Sequence, residues 1–207
     1  MAITNGTLFI ISAPSGTGKT SLVNELVKRL HNVVISISHT TRHRRMLEQH
    51  GQHYYFVDVS TFQTMIQQNV FLEYVNIFDN FYGTSRTFVE DELSKGNDVI
   101  LEIDWQGANK IKENFPHSSI SIFILPPNLI ILQQRLFSRK QDSNEVIEKR
   151  IAQAPTDIKQ YKNYDYVITN DSFEKALDEL MAIIKARRVS LTVAGDYLQN
   201  FVDNIIN

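Results

Sequence analysis

The sequence predicts an α/β protein in which helices cover both faces of a mostly parallel sheet. Three features carry that expectation. Short, nearly continuous apolar runs alternate with helical repeats, and a glycine turn joins the first run to the first repeat. The runs lie at 7–12, 33–38, 98–104, 119–125 and 165–169. The first is nearly continuous, as expected for a parallel strand covered on both faces, and the alternation of strands with helices implies helices on both faces of the sheet. Over 18–30, Leu22, Val23, Leu26, Val27 and Leu30 recur at three and four, which predicts a helix with one buried stripe. A last long helix is expected over 172–189, and the tail "NFVDNIIN" predicts a further short one.

Two stretches break this rhythm. Between 36 and 86 a basic turn is followed by aromatic-rich strand segments, "HYYFV" and "FLEYVNIF", around a short helix near 61–68. This reads as a small inserted mixed α+β lobe. The stretch 135–150 is polar and bears arginines, with too little apolar surface for a core, so a helical lid is expected over 137–161. The remaining core comprises 1–35, 87–136 and 162–207. A length of 207 residues suits one such core, not two independent domains.

Composition narrows the partners. Twenty-one Lys and Arg stand against 23 Asp and Glu, a formal charge of −2, so no broad basic surface for nucleic acid or anionic membrane is expected. The absence of cysteine excludes a disulfide framework and a thiolate zinc site. The start, "MAITNGTLFII", shows no basic region or cleavage site, and no apolar run approaches a membrane span, so a soluble cytoplasmic setting is expected. Self-association stays open.

The chemistry begins at Ala13-Pro14-Ser15-Gly16-Thr17-Gly18-Lys19-Thr20. The phosphate-loop pattern asks for Gly at the first of these eight positions, where Ala13 stands. The rest carries the physics. Gly16 and Gly18 let backbone N–H groups turn inward, Lys19 supplies a cation, the helix presents its positive end, and Thr20 offers a hydroxyl to Mg²⁺. Next to it in function, Glu102 and Asp104 are spaced by two at the end of an apolar run, where both are expected to point to one face and orient a metal directly or through water. In "SHTTRHRR", Arg42 and Arg45 lie three apart in a turn, as either a phosphate clamp or a solvated basic patch. His50 and His53 lack an acidic or cysteine partner at metal-site spacing and read as polar loop residues.

Taken together and in order, "SAPSGTGKTS", "SISHTTR", "FYGTSR", "LEIDWQG", "IFILPP" and "VITND" resemble nucleoside-monophosphate kinases of the guanylate kinase type, over nearly the whole chain. The resemblance implies transfer of the γ-phosphoryl group of ATP to GMP with Mg²⁺, inside a P-loop core closed by an acceptor lobe and a lid. It implies that Arg42 and Arg45, with the hydroxyls of Tyr54 and Tyr82, hold the phosphate of GMP. Arg44 competes with Arg45 for the second place, because the prolines and glycine that usually shape this turn are missing. By the same resemblance Ser38, Glu73, Thr84 and Asp104 contact guanine. A carboxylate suits guanine's adjacent N1–H and 2-amino donors. Arg135, Arg139 and Arg150 match lid arginines near the transferring phosphates or the donor base, and Asn170 matches a position contacting adenine. Glu102 stands where the family usually has Asp.

Overall fold

The computed structural model describes residues 6–115, 119–139 and 142–206. Five parallel strands form the main sheet: β1 (Leu8–Ser12), β2 (Val33–Ser36), β7 (Asp98–Glu102), β8 (Ser119–Leu125) and β9 (Tyr166–Thr169), in the order β2-β7-β1-β8-β9. Both faces are covered, as the continuous apolar runs require. Phe9 and Ile11 turn to one face, against Leu22, Val23 and Leu26 of α1 (Lys19–Arg29) and Leu177, Leu180 and Ile184 of α7 (Phe173–Arg188). Leu8 and Ile10 turn to the other, against Val89 of α3 (Arg86–Ser94) and Ala108 and Ile111 of α4 (Trp105–Asn114). Every one of these side chains is lost to water, so the central strand is clamped from both sides.

A second sheet of four strands leaves this core where β2 ends. It contains β3 (His39–Thr40), β4 (Tyr55–Phe56), β5 (Phe71–Ile77) and β6 (Asn80–Ser85), in the order β4-β3-β6-β5, with α2 (Val59–Gln67) packed on it. Asp58 starts α2, accepting the Thr61 N–H at 2.7 Å, so the helix begins two residues before the expected 61. Phe62 of α2 stacks on Phe71 and Phe81 at 4.5 and 5.3 Å, giving the lobe a small core of its own. The expected strand over "HYYFV" is only two residues long.

The β5–β6 hairpin turns on Phe78 and Asp79, both with positive φ, at 49° and 60°. Two-residue hairpins favour this geometry for its twist, and Asn-Gly or Asp-Gly usually supplies it. Asp79→Gly is therefore expected to stabilise the protein by roughly 0.5–1 kcal/mol, read as a higher urea midpoint at unchanged m-value. An unchanged midpoint would show that the turn carries no such strain.

Three sequence expectations are corrected here. Strand β7 stops at Glu102, so Asp104 lies beyond it as the N-cap of α4 and does not continue the strand. The polar stretch expected to form a lid does have a core: Ile147 and Ala154 of α6 (Asn144–Ile158) pack with Leu132 and Leu136 of α5 (Leu129–Ser138). Amphipathic spacing within the polar stretch provides it. The tail forms a 16-residue helix, α8 (Leu191–Ile206), longer than the short one expected.

Candidate active site

The loop between β1 and α1 sits at the carboxyl ends of the central strands, where open α/β sheets bind ligands. Gly16 and Gly18 have φ of 91° and 99°, which side-chain-bearing residues rarely adopt. A Cβ on Gly18 would also lie 2.6 Å from Asn170 Nδ2. Ala13 is not among the described residues with positive φ, and its methyl packs on the main core, so the departure from glycine is accommodated. Helix α1 has no side-chain cap and no acidic residue in its first turn, leaving its N–H groups and dipole for an anion. Pro14 shapes the loop, its carbonyl accepting Thr17 N–H at 3.2 Å and Thr17 Oγ1–H at 2.8 Å.

Lys19 Nζ donates to the carbonyl of Ile103 at 3.3 Å. Desolvation lowers its pKa, while Glu102 and Asp104 nearby act in the opposite direction. Glu102 Oε1 accepts the Thr20 hydroxyl at 3.0 Å. The longer glutamate thus reaches the loop's last residue across 82 positions, and the pair presents two hard oxygen donors side by side. Asp104 turns elsewhere and accepts the Gly107 N–H at 3.0 Å, so the two carboxylates part company although both flank Lys19.

In the lobe, Glu48 organises the basic turn. Its carboxylate accepts from Arg42 Nη2 at 2.7 Å, from the Arg45 N–H at 2.9 Å and from Arg45 Nη1 at 3.4 Å. Arg45 therefore stands beside Arg42, while Arg44 is exposed. Arg42 lies over the ring of Tyr54 at 5.4 Å, and Tyr54 meets Tyr82 edge to face at 6.0 Å. Burial and the neighbouring Tyr82 push the Tyr54 hydroxyl up to about 12. Both arginine side chains are largely withdrawn from water and tied to Glu48, with Arg42 also against Tyr54, so the turn is not a solvated basic patch.

Glu73 is 5% exposed. A β-bulge between Phe71 and Glu73 changes the pairing register, and Glu73 lands opposite Thr84, whose hydroxyl it accepts at 2.6 Å. Its Oε2 is buried without a partner, packed against Gly107, where a Cβ would sit 2.8 Å away. Burial first, and the nearby Asp104 charge, push its carboxyl up to about 7, despite the Thr84 bond. Ser38 lies between β2 and β3, its carbonyl accepting Tyr55 N–H at 2.9 Å. Glu73, Thr84 and Asp104 thus gather around the first turn of α4.

Of the three arginines expected to act from the lid, Arg135, Arg139 and Arg150, two are anchored at the loop. Arg150 Nη1 donates to Ser15 Oγ at 2.8 Å, and Arg135 donates to the carbonyls of Thr17 at 2.9 Å and Asn170 at 3.3 Å. Arg139 follows α5 as its C-cap and is exposed; its backbone N–H donates to the Phe137 carbonyl, and its side chain makes no hydrogen bond or ion pair among the described residues. Asn170 is buried and gives its amide to the Thr17 carbonyl at 2.7 Å, so its side chain braces the loop. Sequence reasoning passed over Glu48, which holds Arg42 and Arg45, and Asp142, which holds Arg45 and Arg150. For Glu48 the available signal was the one acid inside the basic stretch "RRMLEQ", whereas nothing along the chain singles out Asp142 among the three acids of "RKQDSNEVIEKR".

A phosphate loop on a parallel sheet, faced by paired arginines and a buried carboxylate, defines a P-loop nucleotide kinase. The comparisons give the family. A family model described as guanylate kinase matches residues 5–187, and the chain belongs to the guanylate kinase family. It is 51% identical over 189 residues to guanylate kinase of Escherichia coli O157:H7, covering 90% of this chain and 91% of that one. With guanylate kinase of Psychrobacter arcticus it shares 51% over 202 residues, 98% and 97% of the two chains. A crystal structure of guanylate kinase from Anaplasma phagocytophilum superposes with a TM-score of 0.78 at 33% identity, over 92% of this chain and 90% of that one.

Proposed function

We propose that this chain transfers the γ-phosphoryl group of ATP to the phosphate of GMP, and to that of dGMP, in the cytoplasm with Mg²⁺. The observation that carries the acceptor choice is Glu73, a buried carboxylate with one oxygen on Thr84 and the other free. Two adjacent guanine donors suit that pair of oxygens, and no residue in the assigned set addresses the ribose 2′ position. Family membership supports the reaction itself.

Lys19 and the N–H groups of α1 hold the donor phosphates, while Arg42, Arg45, Tyr54 and Tyr82 hold the acceptor phosphate. Arg150 meets the loop at Ser15 and neutralises charge on the phosphoryl group in flight. The acceptor phosphate is already an oxyanion, so no strong general base is needed and catalysis is positioning plus charge neutralisation. Thr20 and Glu102 suit Mg²⁺, which prefers oxygen donors and keeps waters and substrate phosphates as its other ligands. When bound, the ion would neutralise the donor phosphates. The lobe of 36–86 and the lid of 137–161 close over the two nucleotides.

The test is ADP release with GMP, dGMP, AMP, CMP and UMP as acceptors, with and without Mg²⁺. GMP and dGMP should dominate, and equal turnover of AMP would overturn the acceptor assignment. Arg42→Ala should raise the KM for GMP about 10-fold, as loss of a charge-assisted contact implies. Guanosine binding, measured calorimetrically, should hardly change, and an unchanged KM would return Arg42 to the surface.

A further inference from the structure

Three guanidinium groups converge between lobe and lid. Arg42 and Arg45 come from the turn after β3, and Arg150 comes from α6. Burial, opposed by Asp142 and aided by the charges of Arg45 and Arg42, lowers the pKa of Arg150, so these like charges sense one another. Asp142 lies among them. Its carboxylate receives Arg45 Nε at 2.8 Å and Nη2 at 2.9 Å, a two-pronged pair across 97 residues, and its Oδ2 lies 3.4 Å from Arg150 Nη1. The side chains of Arg45, Asp142 and Arg150 are 15%, 18% and 14% exposed, too little for a loose surface pair. Nothing about helix formation demands this carboxylate, because Ser143 is the residue that caps α6.

We infer that Asp142 is a positioning residue, which ties the acceptor-phosphate arginines to the lid so that lid closure and arginine alignment are one event. The inference rests on the roles proposed above for Arg45 and Arg150. The connection is continuous: Glu48 holds Arg42 and Arg45, Asp142 joins Arg45 to Arg150, and Arg150 reaches Ser15 of the phosphate loop. It runs from the acceptor clamp to the donor loop, the two ends between which a phosphoryl group must pass. Without the carboxylate, a closing lid brings Arg150 against Arg45 with no anion between them, and closure is opposed.

The test is Asp142→Asn, which removes the charge and keeps the shape. It is expected to lower kcat ~10-fold and to leave the KM for GMP within about twofold, since closure and not acceptor binding is affected. Asp142→Glu, which keeps the charge, should recover most of kcat. The chain has no cysteine, so spin labels at Gln63→Cys on α2 and Glu148→Cys on α6, both exposed, report the lobe-to-lid distance by pulsed electron resonance. Asp142→Asn should lengthen that distance in the nucleotide-free protein. An unchanged kcat, a lower KM for GMP with kcat retained, or an unchanged distance would each overturn the inference. So would loss of folding at assay temperature, which would make Asp142 a residue of the fold. If the unsubstituted protein fails to phosphorylate GMP, the activity assignment fails, and the distance measurement still decides whether Asp142 links lobe to lid.

Discussion

Lys19→Ala is expected to lower kcat at least ~100-fold while GMP binding survives. The lysine lies at the first turn of α1, bonded to the Ile103 carbonyl and flanked by Glu102 and Asp104, so its charge faces the strand ends and the loop. The residues proposed to hold the acceptor phosphate gather instead on Glu48 and around Tyr54 and Tyr82, and Lys19 makes its own bond to Ile103. The donor phosphates gain charge at the bridging oxygen as transfer proceeds, and a fixed cation there matters more in the transition state than in the bound ground state. The measurement is kcat under saturating ATP and GMP, with GMP affinity followed by calorimetry in the absence of ATP. Turnover like that of the unsubstituted protein, in a folded variant, would take the phosphate loop out of the mechanism. A parallel loss of GMP affinity would show instead that the two phosphate sites are coupled through Lys19.

What could be read in the chain was what is local. The phosphate loop declares itself because strand, glycine turn and helix follow one another within fourteen residues, 7–20, and the helix start needs no distant partner. The sheet is legible for a similar reason: strands covered on both faces are nearly continuously apolar, as Leu8–Ile11 of β1 is. Glu73 was different. Its spacing alone suits an outward-facing strand residue, and only the bulge and the pairing with Thr84 turn it inward, which depends on a second strand. Asp104 was misplaced on a strand because alternation continues through "LEID", although the chain had already begun to cap α4. The lid core was missed because four apolar positions, Leu132, Leu136, Ile147 and Ala154, are shared between two helices and neither is convincing alone. Asp142 lies furthest from any sequence rule. Its partner is 97 residues away, and no pattern along a chain announces an ion pair made by folding.

Glu73→Gln should change base choice more than any other single substitution. An ionised Glu73 with Oε1 on Thr84 and Oε2 free can accept from guanine's N1–H and 2-amino group, whereas adenine offers it a bare N1 lone pair. Rejection of AMP then comes from a stranded buried charge as well as from missing bonds. Glutamine removes the charge and gives adenine N1 a donor, so kcat/KM for GMP should fall at least ~10-fold and the GMP to AMP ratio by ~10²-fold or more. The carboxyl is pushed up to about 7 by burial, so GMP must bind the form that has lost its proton. The KM for GMP should therefore fall as pH rises toward 7 and level off above it. In Glu73→Gln that step should vanish, leaving only the titration of the nucleotide phosphate near pH ~6. Stability has the opposite sign. The folded protein holds this proton up to about 7 and the unfolded chain releases it near the ordinary 4.5, so folding loses stability as pH rises between the two and regains none above. Glu73→Gln escapes that loss, and its melting temperature should exceed that of the unsubstituted protein at pH ~8, the gap narrowing toward pH ~5. A variant that melts higher, binds GMP worse and accepts AMP better would mark Glu73 as a carboxylate kept for recognition at a cost in stability. An unchanged base ratio in that folded variant would leave guanine to Ser38 and Asp104.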